Sequence, residues 1–133
     1  ERMLDDDLAW ARAKLAEGPL RPQVAGLVAA ICLRQADQAA LMAAVLPRLP
    51  VVERDALARR TFAALAEWLV ERLRDEKGLR PELDDPEQLD RAVFVATRGL
   101  RWALNEAALE QPAWLRDPGF QREMARLIEG LWA

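Results

Sequence analysis

The chain has 133 residues, of which 52% are hydrophobic and 31% charged, and its formal net charge is −3. This composition supports one domain with one apolar core and excludes a disordered chain. The 19 basic residues are interspersed with 22 acidic ones, so no basic stripe predicts a nucleic-acid surface. No apolar run approaches the roughly 18 residues of a membrane span, and the single cysteine, Cys32, fits a reducing cytoplasm.

The side chains that most enzymes use are missing from the sequence. Histidine, tyrosine and serine are all absent, which removes the usual general base, the commonest metal ligand and every Ser–His nucleophile. Carboxylate clusters remain at Asp5-Asp6-Asp7 and Asp84-Asp85, but these lie at predicted helix ends, where acidic residues stabilise the helix dipole. We therefore expect no enzyme, no metal site and no cofactor. A helical enzyme or metalloprotein is the disfavoured alternative.

Three helices are predicted in the first part of the chain, where proline and glycine separate segments of helical period. Their predicted ranges are Leu4–Glu17, Leu20–Arg34 and Asp37–Leu46. Pro22 falls in the first turn of the second helix, where a missing N–H does no harm. Asp37 is the expected N-cap of the third, which Pro47 and Pro50 end.

Three further helices are predicted over Val52–Lys77, Pro86–Glu110 and Pro118 to the C-terminus. Gly78 ends the first of them, and Asp85 and Asp117 are the expected N-caps of the other two, each followed by a proline at the first helical position. The short connections between these segments predict a single all-α domain over residues 1–133. The expected architecture is an antiparallel bundle of about six helices.

The helix over Pro86–Glu110 contains Gly99, which costs about 1 kcal/mol relative to alanine in a helix interior. Gly99 belongs to a line of small residues, flanked by Val95 and Trp102, that consists of Ala92, Ala96, Gly99 and Ala103. Small residues at this spacing allow another helix to approach closely. That helix belongs either to the same chain or to a second copy, and the second copy is the favoured interpretation. The last helix would complete this dimer interface with Phe120, Met124, Leu127 and Leu131.

Two stretches carry a family resemblance over nearly the whole chain. They are "LDDDLAWARAKLAEGPLRPQVAGLV" near the start and "DPEQLDRAVFVATRGLRWALNEAALEQPAWLRDPGFQREMARLIEGL" near the end. Together with the long middle helix between them, they resemble the C-terminal regulatory domain of TetR/AcrR-type transcriptional repressors. The most specific parts are "RGLRWAL" and "LRDPGFQREMARLIEGLW".

The resemblance implies a homodimer in which the last two helices of each chain form a four-helix bundle. It also implies a pocket, enclosed by the earlier helices, for a small apolar or amphipathic effector that controls DNA binding. Members of this family contact DNA through an N-terminal helix-turn-helix domain, which has no counterpart in these residues. Because the chain starts at Glu1 with hardly any lead-in, we expect it to be a piece of a longer or trimmed protein.

Candidate ligand-binding residues are apolar or aromatic side chains with a few polar groups beside them. They are Trp10, Met42, Phe62, Leu65, Trp68, Phe94, Arg98 and Asn105. Each is alternatively an ordinary core or surface residue, and Cys32 is most simply a small buried apolar side chain rather than a redox sensor. The competing function is a helical protein-interaction module that uses the same bundle surface without a ligand.

Overall fold

The computed structural model describes residues 18–45 and 51–133, without the side chains of residues 39–45, 51–58 and 61. The described part of the chain is all-helical, as the sequence predicts. Its four α-helices are α1 (Arg21–Val45), α2 (Val51–Leu73), α3 (Pro86–Glu110) and α4 (Pro118–Glu129). Short 3₁₀ helices, Pro81–Asp84 and Pro112–Arg116, precede α3 and α4.

The helix α1 is longer than the sequence predicts. The segments predicted as Leu20–Arg34 and Asp37–Leu46 form one continuous helix, so Asp37 is not an N-cap but an interior residue. No proline or glycine stands between the two segments, and the carboxylate of Asp37 instead accepts a hydrogen bond from Arg116 Nη2 at 2.7 Å. The predicted helix over Leu4–Glu17 lies outside the described residues, so a bundle of six helices stays a prediction.

The boundaries of α3 and α4 follow the predicted capping residues. Pro86 and Pro118 occupy the first turns of α3 and α4. The Asp117 carboxylate accepts a hydrogen bond from the Phe120 N–H at 2.9 Å, whereas Asp85 takes the N-cap position without a side-chain bond. The helix α2 ends at Leu73 rather than Lys77, and Gly78 has a φ of +87° in the following connection, a conformation that favours glycine.

The helix α3 is the centre of the fold, because α1, α2 and α4 all pack against it. Its buried apolar residues form one stripe along the helix, which consists of Leu89, Val93, Ala96, Leu100, Leu104 and Ala107. The spacing of this stripe follows the helical period. The core continues into α1 through Val24, Val28 and Cys32, which are almost completely buried.

The C-terminus is tied to the connection between α2 and α3. The Arg80 N–H donates to the Leu131 carbonyl at 3.0 Å, and the Ala133 N–H donates to the Gly78 carbonyl at 2.9 Å. These bonds surround an antiparallel bridge between Leu79 and Trp132, and the Trp132 side chain is buried. The chain end thereby holds α4 against the region where α2 stops.

None of the helices in the described part of the chain combines the length and apolar character needed to cross a membrane.

Candidate functional site

Four large apolar side chains are exposed on the side of the fold formed by α3 and α4. They are Val95 (69% exposed), Trp102 (69%), Leu109 (81%) and Leu127 (40%), and we call them the α3–α4 face. The first three are seven residues apart along α3, which places them within about 40° of one another around the helix axis. Single exposed apolar residues are ordinary, but several on one side of a helix mark an interaction surface.

The line of small residues on α3 faces the same chain rather than solvent. Leu127 of α4 lies over Gly99, where an added Cβ would be 3.7 Å from Leu127 Cδ1. Ala96 is buried, and Ala92 and Ala103 pack against the core. The small side chains thus border α4 of the same chain, while the flanking Val95 and Trp102 remain exposed. A distance of 3.7 Å is an ordinary contact, so the packing of α4 does not require glycine at this position.

The residues predicted to form a dimer interface lie partly in the core of their own chain and partly on its surface. Ala96, Met124 and Leu131 lie in the core of their own chain, because α3 and α4 already pack against each other and against α1. Phe120 is half-buried, and its ring lies 5.7 Å from that of Trp114, measured between centroids. Only Val95, Trp102 and Leu127 of the predicted interface set are exposed large apolar residues, and Leu109, absent from that set, joins them.

An open cleft of about 430 Å³ lies between α2 and α3. Its lining combines small and apolar side chains with charged ones, and consists of Ala63, Ala66, Glu67, Val70, Glu71, Arg74, Asp90, Val93, Phe94 and Arg98. Residues four apart on each helix supply it, because such residues share one side of a helix. The volume falls within the range of small-molecule sites.

On the α3 side of the cleft, Phe94 and Arg98 form one unit. The Arg98 guanidinium lies over the Phe94 ring with its Cζ 4.5 Å from the ring centroid, within the range of a cation–π interaction. Arg98 Nη1 also donates to Thr97 Oγ1 at 3.4 Å. The buried Thr97 hydroxyl donates in turn to the Val93 carbonyl at 2.8 Å, so Arg98 is supported by the helix beneath it.

Charged groups surround the apolar part of the cleft. Three carboxylates, Glu67, Glu71 and Asp90, line the cleft together with two guanidinium groups, Arg74 and Arg98, and their formal charges sum to −1. The carboxylates are exposed, which lets water screen them. Within residues 18–45 and 51–133, no group of three or more acidic, histidine or cysteine side chains is placed to hold a metal ion.

Of the residues predicted to bind a ligand, the cleft brings together only Phe94 and Arg98. Leu65 is buried, and Phe62 and Trp68 pack against the core, while Asn105 lies beyond the cleft on α3. Trp10 and the Met42 side chain fall outside the described residues. The sequence does not predict the α2 lining, because the four-residue spacing of Glu67 and Glu71 shows only that they share one side of their helix.

Cys32 is part of the core of α1. Its side chain is fully buried, and this burial raises the pKa of the Cys32 thiol to about 11. A protonated, enclosed thiol reacts slowly with oxidants and electrophiles. The environment of Cys32 therefore favours a packing role over redox sensing.

A second open cleft lies where the start of α1, the end of α2 and the chain's C-terminus meet. Its volume is about 510 Å³, and it is lined by Pro19, Arg21, Pro22, Asp75, Glu76, Lys77, Gly78 and Trp132. Arg72 links the end of α2 to the segment before α1, because its Nη2 donates to the Gly18 carbonyl at 2.9 Å. This end of the molecule joins the start of α1, the end of α2 and the chain's C-terminus.

Comparison of the chain with protein-family models, with curated proteins and with solved structures gives no match.

Proposed function

We propose that the chain is the effector-sensing and dimerisation domain of a TetR-like transcriptional repressor. In this proposal two copies associate through α3 and α4 in the cytoplasm, as a dimeric four-helix bundle. A small amphipathic molecule binds each chain, and DNA is contacted only through a helix-turn-helix domain outside these residues. The proposal includes no catalytic activity, no cofactor and no membrane association.

The observation that supports dimerisation best is the exposed α3–α4 face. A tryptophan side chain buries roughly 150–250 Å² when it is fully enclosed, and Trp102 is 69% exposed. At about 25 cal/mol per Å², covering the exposed part would contribute roughly 3–4 kcal/mol for each copy. A second copy would cover two such side chains together with Val95, Leu109 and Leu127. No other single exposed apolar residue among those that the structure describes offers as large a gain in free energy as Trp102.

The cleft between α2 and α3 supports effector binding. Its position also suggests how a bound ligand affects the α3–α4 face. An amphipathic molecule fits a site with Ala66, Val70 and Phe94 beside charged groups. Arg98 borders both regions, because it stacks on Phe94 in the cleft and lies one helical turn before Trp102. A ligand that takes the place of the Arg98 guanidinium on the Phe94 ring would move a charge at the edge of the α3–α4 face.

The association state tests the first half of the proposal. Sedimentation equilibrium should show a dimer for the wild-type chain and a folded monomer for Trp102→Glu, with an association weaker by about 100-fold or more, since a charge buried in an interface costs several kcal/mol. Leu33→Glu is the matched control, because Leu33 is also an exposed apolar residue (40%) but lies on α1, and it should remain dimeric. A monomeric wild-type chain would remove the dimer and favour the protein-interaction module.

Thermal unfolding tests the second half of the proposal, the binding of a small amphipathic molecule between α2 and α3. Anything that binds the folded state raises the melting temperature by mass action. The probes are alkyl amphiphiles of equal chain length with cationic, neutral or anionic head groups. Ala66→Trp fills the cleft and should abolish the shift, whereas Ala113→Trp places the same side chain at an exposed position outside the cleft and should keep it. No shift with any probe, or an equal shift in both variants, would contradict a ligand site between α2 and α3.

A further inference from the structure

The three residues that α3 contributes to the α3–α4 face are arranged symmetrically along that helix. Trp102 lies in the middle, and Val95 and Leu109 lie seven residues before and after it. Each is therefore about 10.5 Å from Trp102 along the helix axis, at a rise of ~1.5 Å per residue. Reversing the helix about Trp102 places Val95 where Leu109 was, and Leu109 where Val95 was. A surface with this property matches a reversed copy of itself.

The charges that border the three apolar residues are not symmetric. Before Trp102 stand Arg91 and Arg98, whereas after it stand Glu106 and Glu110. Arg91 lies 3.5 Å from the Glu87 carboxylate, so the first half of this side of the helix has a net charge of +1 and the second half −2. Two copies in the same direction would place like charges together. Two copies in opposite directions would place the basic half of each beside the acidic half of the other, and the helix dipoles would add to this preference.

Gly99 adds an observation on the same side of α3. The Leu127 side chain of its own chain leaves space for a Cβ at 3.7 Å, so intramolecular packing does not explain the glycine. Gly99 lies one turn before Trp102 and beside it around the helix. In a reversed pair, the absence of a side chain at Gly99 provides room beside the indole ring of the second copy.

We propose that α3 pairs with α3 of a second copy in the antiparallel direction, with the two-fold axis at Trp102. Val95 of each chain then contacts the partner's Leu109, and the two Trp102 rings meet near the axis beside the Gly99 positions. This arrangement rests on the proposed dimer and adds its direction and register. It identifies the partner as an identical chain, because the apolar pattern and the charge pattern complement each other only when one helix is reversed.

Cysteine cross-linking of the intact chain tests direction and register directly. A disulfide forms when two Cα atoms lie within roughly 4.4–6.8 Å. Val95→Cys and Leu109→Cys are prepared separately, mixed under reducing conditions so that subunits exchange, and then oxidised. The wild-type chain is the control for Cys32, whose buried thiol should give no covalent dimer.

We expect the mixture to give a covalent dimer containing one copy of each variant, and each variant alone to stay uncoupled. In the proposed register, the two substituted positions of a Val95→Cys dimer are separated by ~21 Å along the helix. Efficient cross-linking of either variant with itself would overturn the antiparallel arrangement. Sedimentation of the reduced samples separates the two proposals: a monomer refutes the dimer, whereas a dimer without a mixed cross-link refutes only this register.

Discussion

Replacing Gly26 and Gly99 by alanine, one at a time, measures what packs against each position. Both glycines lie inside helices, Gly26 in α1 and Gly99 in α3, where alanine is favoured by about 1 kcal/mol. A Cβ at Gly26 would meet no atom within 4 Å, whereas a Cβ at Gly99 would meet Leu127 Cδ1 at 3.7 Å and Leu127 Cδ2 at 3.9 Å. Neither distance forces a neighbour to move.

We therefore expect Gly26→Ala to raise the free energy of unfolding by about 1 kcal/mol, which corresponds to roughly 4 °C in melting temperature. Gly99→Ala should give at least the same gain in a monomeric Trp102→Glu background, since each new carbon–carbon contact adds ~0.1–0.2 kcal/mol. Gly99→Leu is a poorer probe of dimerisation, because its longer side chain would collide with Leu127 of the same chain.

Urea unfolding followed by far-ultraviolet circular dichroism measures both gains, and Gly26→Ala provides the reference value. Destabilisation by Gly99→Ala in the monomeric background would refute the reasoning, since it would mean that α4 packs more closely on α3 than the structure shows. A loss that appears only in the dimeric parent would instead place the second copy against Gly99.

Three further changes test the core, the chain end and a helix cap. Because the pKa of Cys32 is raised to about 11, the folded chain keeps the thiol proton that the unfolded chain releases above its usual pKa of 9.0. The free energy of unfolding should then fall by roughly 2–3 kcal/mol as the pH rises from about 9 to about 11, and urea titrations should show that Cys32→Ala lacks this part of the decrease. Trp132→Ala should lower the free energy of unfolding by roughly 3–5 kcal/mol, measured by urea unfolding, and an effect below about 1 kcal/mol would contradict the burial of the indole ring at the chain end. Asp117→Ala should cost about 1 kcal/mol in the same assay through the lost bond to the Phe120 N–H, whereas Asp85→Ala, which removes no side-chain cap bond, should cost clearly less.

The helical class and the starts of α3 and α4 follow from local sequence. The prolines at positions 86 and 118 and the aspartates before them specify helix starts through local chemistry, and the apolar spacing of α3 specifies its buried side. Local sequence also allows α1 to continue through Asp37, since no proline or glycine interrupts the helix there. What local sequence does not show is the partner of this carboxylate, Arg116, which is 79 residues away along the chain.

Which apolar residues are available to a partner depends instead on tertiary packing. Helical periodicity shows that Ala96, Met124 and Leu131 lie on apolar sides of their helices, but it does not show what covers those sides. The packing of α3 against three other helices buries these residues and leaves Val95 and Trp102 exposed.

The cleft depends likewise on two helices that are distant in sequence. Phe94 and Arg98 were identifiable from α3 alone, whereas Glu67 and Glu71 required the position of α2. Capping and apolar spacing act between residues a few positions apart, so they specify where a helix begins and which of its sides is apolar. The contacts that cover such a side join helices far apart along the chain, and they are therefore visible only in the folded molecule.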